Sequence, residues 1–359
     1  MREPVMRRTR SGSLTCVMAP ARHLSPLAKA LSLLSVCSML ALAAPLPLQA
    51  AQSAAVTSIE SPKAVTSLLL DIAHAGKRLV AVGDRGHILF SEDAGRNWVQ
   101  ARVPTRQLLT AVYFVDDKHG WAVGHDAQIL ASDDGGANWE LQFEDLEREA
   151  PLLDVWFRDT STGYAVGAYG ALLETGDGGK TWNDVSDRLD NEDGYHLNGI
   201  TAVKDAGLFV VGEAGSMFRS ADWGQTWEKV QGPYEGTLFG AVGTAVPNTL
   251  LAYGLRGNLF RSADFGNSWE QVKLLSESGP LEFGLANGSL LKDGTVVIVG
   301  HGGSVLTSKD AGRTFAVVNR ADRASLAGAT DDAAGNLVLV GQGGVHSATS
   351  TGAEPGQKQ

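Results

Sequence analysis

The chain has 359 residues, 43% of them hydrophobic, with 30 basic and 40 acidic side chains and a net charge of −10. That balance argues against nucleic acid as a partner, because phosphates reward basic patches. Only two cysteines occur, Cys16 and Cys37, so beyond residue 50 there is no thiol for disulfides, redox work or metal ligation.

Residues 1–50 read as a secretory signal peptide. Arg7, Arg8, Arg10, Arg22 and Lys29 precede the apolar run "ALSLLSVCSMLALAAPLPLQA", and small residues follow it. Pro45 and Pro47 break the run, which is too short for a confident membrane span. Cleavage after Ala50 and export to the periplasm are expected; an uncleaved anchor is the alternative reading. Removing the leader's six basic and one acidic residue leaves 24 basic against 39 acidic residues, a net charge of −15.

From residue 79 onward the chain repeats itself. "LVAVGDRGHILFSEDAGRNW" (79–98) is followed by "GWAVGHDAQILASDDGGANW" (120–139), "GYAVGAYGALLETGDGGKTW" (163–182) and "LFVVGEAGSMFRSADWGQTW" (208–227). Then come "LLAYGLRGNLFRSADFGNSW" (250–269), "VVIVGHGGSVLTSKDAGRTF" (296–315) and a seventh copy, "LVLVGQGGVHSATS" (337–350), that stops early. A unit of about 44 residues fits a four-stranded propeller blade and excludes shorter solenoid repeats. Each unit also reads as four short apolar runs between Gly and Asp clusters. The expectation is an all-β, seven-bladed β-propeller over residues 51–350, with a disordered tail at 351–359. The seventh unit lacks a fourth strand, and "AAVTSI" (54–59) has no other role. It is expected to close the ring as an N-terminal strand on the outside of that blade.

Six turns between third and fourth strands carry S/T-x-D-x-G-x-x-W/F, the Asp-box or BNR repeat. The acids are assigned to Asp93, Asp133 (with Asp134 as the neighbouring alternative), Asp177, Asp222, Asp264 and Asp310. The aromatics are Trp98, Trp139, Trp182, Trp227, Trp269 and Phe315. A carboxylate can accept N–H groups of its own turn, glycine supplies positive φ, and a large ring buries area between blades. Sialidases also carry such boxes. Six copies around a ring point to six places, however, whereas one substrate needs converging groups, so the boxes are read as architecture. Near the axis the first strands offer Thr110, Gly199, Gly240, Gly284 and Gly328, with Asp154 the lone acid. One acid is not the carboxylate pair of a glycosidase, and no catalytic residue, metal or cofactor is assigned.

Seven blades of this length with Asp-boxes, and the element F-x-D-x-x-x-G-W/Y-A-V-G at 114–124 and 157–167, resemble the photosystem II stability/assembly factor propellers. The resemblance covers about residues 60–350. It implies a non-enzymatic exported chaperone that binds a protein partner, a membrane protein or membrane complex, and no small-molecule substrate. An accessory of a membrane transporter and a sialidase-like enzyme are the alternatives. If the scaffold repeats, recognition belongs to what differs. The turns between second and third strands carry unlike residues at equivalent positions, and the partner-binding candidates are Arg85, His125, Tyr169, Tyr195, Glu213, Arg256 and His301. Tyr234 is a further anchor. The acidic loops "FEDLEREAP" (143–151) and "NDVSDRLDNEDGYHLN" (183–198) are expected to steer a basic surface towards the same face.

Overall fold

The computed structural model describes residues 56–277 and 279–356; the leader, both cysteines, residues 51–55 and residues 357–359 lie outside them. Seven antiparallel sheets follow one another along the chain. Six have four strands in sequential order, as in blade 4 with Leu197–Val203, Gly207–Gly212, Met217–Ser220 and Glu228–Lys229. The seventh has three: Leu326–Asp331, Leu337–Gly341 and Gly344–Ala348. A small hairpin, Leu275–Ser276 with Gly279–Pro280, is inserted after blade 5. Second strands such as Val296–Gly300 are buried at every residue. Apolar side chains on both faces meet neighbouring blades, which explains continuous runs where alternation would be the rule for a half-solvated sheet.

Seven apolar clusters fill the seven gaps between blades. The gap between blades 1 and 2 holds Val80, Val82, Ile88, Leu109, Val112 and Trp139. Each box aromatic enters the gap towards the preceding blade: Trp139 packs with Val80 and Val82, Trp227 meets Tyr164 edge-on at 6.4 Å and Trp269 meets Phe209 at 5.9 Å. Behind each ring the box ties itself together. The Ser91 hydroxyl donates to Asp93 Oδ1 (3.0 Å) and accepts from the Gly95 N–H (2.8 Å), while Asp93 Oδ1 accepts from the Asn97 N–H (2.8 Å). Those donors hold Asp93 at a pKa of about 2, the Asn97 backbone first, and Asp222 falls to about 2 through Thr226. Gly95 and Gly224 sit at φ 83° and 99°, where a side chain would be strained.

Blade 2 corrects the assignment of its acid. Ser132 donates to Asp134 Oδ1 (3.0 Å), and Asp134 accepts from the Asn138 N–H (3.0 Å). The serine hydroxyl reaches the acid two residues on and the glycine four residues on, so Ser132 selects Asp134 and Gly136 rather than Asp133.

Ring closure also differs from expectation. Residues 56–60 form no strand, and Val56 and Ile59 are 58% and 60% exposed. Instead the segment lies along blade 1: the Ser58 N–H donates to the Val103 carbonyl (2.9 Å), and the Gln100 amide donates to Ser58 Oγ and the Ile59 carbonyl. Beside blade 7's third strand lies the 3-10 turn Ala64–Thr66, where the Val65 carbonyl faces Gly344. The buried Arg320 donates to the Ser347 carbonyl (3.3 Å), and the Thr349 N–H folds back to the Ala353 carbonyl (2.8 Å). Ala353 is buried and Gly352 packs on Val305 of blade 6, so residues 351–353 are packed where a disordered tail was expected. The seam closes by side-chain packing of Leu69, Ile72, Leu79 and Leu89 against Val338 and Val340.

Trp139→Ala is expected to destabilise the ring by about 3–5 kcal/mol in urea unfolding. The double variant Val56→Asp/Ile59→Asp should leave the melting midpoint where it is. Asp134→Ala should lower that midpoint, and Asp133→Ala should not.

Candidate functional site

In blades 1–6 a single 3-10 turn joins second to third strands: Asp84–Gly86, His125–Ala127, Ala168–Gly170, Glu213–Gly215, Leu255–Gly257 and His301–Gly303. Blade 7 has a tighter hairpin, with Gly341 paired directly to Gly344. The first residue of each connection donates its N–H to the residue before the blade's first strand, for example Asp84 to Leu68, His125 to Leu108 and Gln342 to Ser325. All seven connections therefore stand on one face, around the start of the first strands, and the Asp-boxes stand on the other.

The second residue of the turn has positive φ in all six blades: Arg85 56°, Asp126 58°, Tyr169 56°, Ala214 51°, Arg256 55° and Gly302 65°. Only glycine adopts this region without strain. Blades 1, 3 and 5 nevertheless keep long side chains there, pointing outwards; Tyr169 is 70% exposed. Strained residues that face solvent are candidates for recognition rather than packing.

The structure places Arg85, His125, Tyr169, Tyr195, Glu213, Arg256 and His301 on this face but does not gather them into one cluster. Blades 3 and 4 do form a patch. Tyr169 meets His196 edge-on at 5.0 Å, His196 stands 3.8 Å from Glu213, and Asn191 holds the Tyr195 backbone through both amide atoms. His196 and Asn191 carry no motif and were missed. Tyr234 is corrected: it packs on Phe260 at 5.7 Å within the gap between blades 4 and 5. The acidic loop 143–151 does reach the face, where the Asp145 N–H donates to the Asp126 carbonyl (3.1 Å).

The axis is more polar than the sequence suggests. Every first strand has a bulge near its start. The residue opposite the second strand's last valine, or tyrosine, is Asp71, Ala111, Asp154, Gly199, Gly240, Asn287 and Gly328 in turn. The sequence reading names Thr110, one residue short of Ala111, and Gly284, which precedes the strand that brings Asn287 to the axis, and it omits Asp71. Asp154 is therefore not the lone axial acid. The Val112 N–H and the Asn287 amide donate to Asp71 (2.9 and 3.0 Å), and the Ile200 N–H donates to Asp154 Oδ2 (2.9 Å). Each carboxylate thus ties its own blade to another.

Both carboxylates line a central cavity of about 680 Å³, and among the described residues neither has an ion-pair partner. Burial lifts Asp71 to about 6 and Asp154 to about 7, the latter raised further by the charge of Asp71. Tyr253 replaces the valine of the other blades and fits because Gly240 and Gly288 have no side chains beside its ring. Burial and the charge of Asp154 push its hydroxyl upwards.

A family model described as Photosynthesis system II assembly factor YCF48 matches residues 92–150 and 141–273. The chain belongs to this family. No curated protein matches it. Among solved structures it is similar to YCF48 bound to D1 peptide, at 20% identity over 80% of this chain and 92% of that one, with a TM-score of 0.62. It is also similar to YCF48 from Cyanidioschyzon merolae, at 19% identity over 81% and 98% of the two chains, with a TM-score of 0.61. A streptogramin B lyase structure aligns at 12% identity over 80% and 95%, with a TM-score of 0.64. At these identities the likeness is one of fold, and the propeller scaffold itself is compatible with catalysis or binding.

Because Asp71 and Asp154 have folded pKa values above the unfolded value of about 3.9, the unfolded chain ionises first as pH rises. Their penalty is absent below about pH 4 and complete above about pH 7. Asp154→Asn keeps an acceptor for the Ile200 N–H but sets an amide NH2 against the Val155 N–H that donates to Oδ1 (2.8 Å). Relative to the unaltered ring it should therefore gain on the order of 2 kcal/mol between pH 4 and pH 8. A melting series across that range reads the gain.

Proposed function

We propose that this protein is an exported, non-catalytic propeller that binds a polypeptide of a membrane complex on its turn face and assists assembly of that complex. The observation that carries the reading is the contrast between the two faces. Six Asp-boxes repeat the same self-bonded turn on one side, while the opposite turns hold unlike side chains at a strained backbone position. Membership of a family described by an assembly factor supports the direction of the reading, as does a fold neighbour described as bound to D1 peptide.

Catalysis is not part of the proposal. The axial carboxylates are engaged by backbone donors of other blades, which suits a fixed structural or electrostatic role better than proton exchange with a substrate. Export rests on the leader read from residues 1–50.

A photo-crosslinking residue at Tyr169, introduced in the exporting cell, should capture subunits of a membrane complex, while the same residue at Asn267 on the Asp-box face should not. Capture only from Asn267 would reverse the assignment of the faces. Recovery of a transport system alone from Tyr169 would favour a transporter accessory. Reversing Glu144, Glu147, Asp190 and Glu192 together should slow association and weaken its salt dependence.

A further inference from the structure

We propose that the axial mouth on the turn face receives a lysine or arginine side chain of the bound polypeptide, seated through an apolar collar onto the Asp71–Asp154 pair. This deepens the reading of the turn face as a polypeptide-binding surface and rests on it.

The collar is made by the residues that the first-strand bulges skip. Leu70, Leu153, Phe239, Ala286 and Ala327 all line the cavity. The two polar members are turned away to neighbouring blades: Thr110 donates to the Leu152 carbonyl (2.7 Å) and Asn198 to the Leu238 carbonyl (2.8 Å). Just outside, Leu68 and Phe283 are 41% and 42% exposed on the same face. Phe283 keeps its place because Gly302 has no side chain beside its ring. The carboxylates lie one residue deeper, about 3.3 Å along the strand, within reach of a four-carbon stem.

Charge and room at that depth both favour a cation. Asp71 and Asp154 each keep further lone pairs beyond the bonds described. The ring around them is small at Ala111, Gly199, Gly240 and Gly328. The other titratable groups facing the cavity are Tyr253, Tyr113, Lys292 and the His74–Asp331 pair. Lys292 is anchored at the Gly76 carbonyl (3.3 Å) towards the opposite end, and His74 is already paired with its own carboxylate at 3.0 Å. An apolar stem ending in a cation matches a collar above an acid pair. Two carboxylates and one amide fall short of the six to eight oxygens that a calcium ion takes. A free amine would leave the collar and its exposed leucine and phenylalanine uncovered.

The test uses the exported full-length protein and two fluorescein-labelled peptides, one with a central Leu-Lys-Leu and one with norleucine in place of lysine. Fluorescence anisotropy at pH 8 should show the lysine peptide binding at least about tenfold more tightly. Its affinity should fall between pH 8 and pH 5.5 as protons compete for the pair, and that of the norleucine peptide should not. Asp71→Asn/Asp154→Asn should remove the difference between the peptides. Should that variant fail to fold, the peptide pair and its pH series on the unaltered protein decide alone. Equal binding of the two peptides would overturn the axial inference and leave the turn-face reading standing. So would lysine-peptide binding displaced by micromolar calcium, which would make the pair a metal site. Absence of lysine-peptide binding would overturn the inference as well, while crosslinking from Tyr169 would still judge the turn face independently.

Discussion

Everything in this ring hangs on one contact made six times, a box aromatic pushed into the apolar gap between its own blade and the one before. A four-stranded blade alone leaves both faces of its second strand uncovered, and Val297 or Leu251 becomes fully buried only because a neighbour arrives. The box supplies that neighbour with a wedge and locks the wedge in place, since Ser, Asp and Gly bond one another behind the ring. Trp98, Trp139 and Trp227 add an indole N–H donated to the box glycine's own carbonyl at 2.9–3.1 Å. Blade 7 has no box, and the gap between blades 6 and 7 is completed by aliphatic residues such as Val297, Val299, Leu326 and Leu339.

A scaffold assembled by repetition separates what is shared from what is free to vary. Turn residues such as Tyr169 and Arg256 contribute little to the gaps, so their identity is not constrained by packing, and their left-handed backbone aims them outwards. The axis follows another logic. There the repeat brings one residue per blade into a shared ring, and small residues at four positions leave room for two acids, an asparagine and a displaced tyrosine. A charged pair deep in a ring is unfavourable to the fold on its own, and such groups tend to mark sites that something else completes.

Much of this was readable from the chain because periodicity survives in the letters. The seven repeated strings, about 44 residues apart, set the number of blades, and the box string marks the turns between third and fourth strands. Register was harder. The bulge after Leu69 and its equivalents shifts the strand by one, which moves Asp71 and Asn287 to the axis and leaves Thr110 in the collar. The fault at Asp133 was of the same kind, since two adjacent acids are distinguished only by which one the serine hydroxyl can reach. Residues 56–59, the described part of the expected closing strand, form no strand for a different reason. An edge that lacks a strand can be satisfied by an arginine and a chain reversal, and neither Arg320 nor Thr349 announces that role in sequence. Tyr195, His196 and Asn191 come together only through the fold of a long loop, for which no pattern exists.

The seam between the last blade and the first has a mechanical meaning. In a ring whose two ends share a sheet, parting them requires a ladder of backbone hydrogen bonds to be sheared. Among the described residues the first and last blades share no sheet: side chains such as Ile72 and Val340 meet across the join, and the Val65 backbone lies against Gly344. Tension applied to the two ends would therefore open the circle like a split washer, blade by blade from this gap, with every remaining sheet intact.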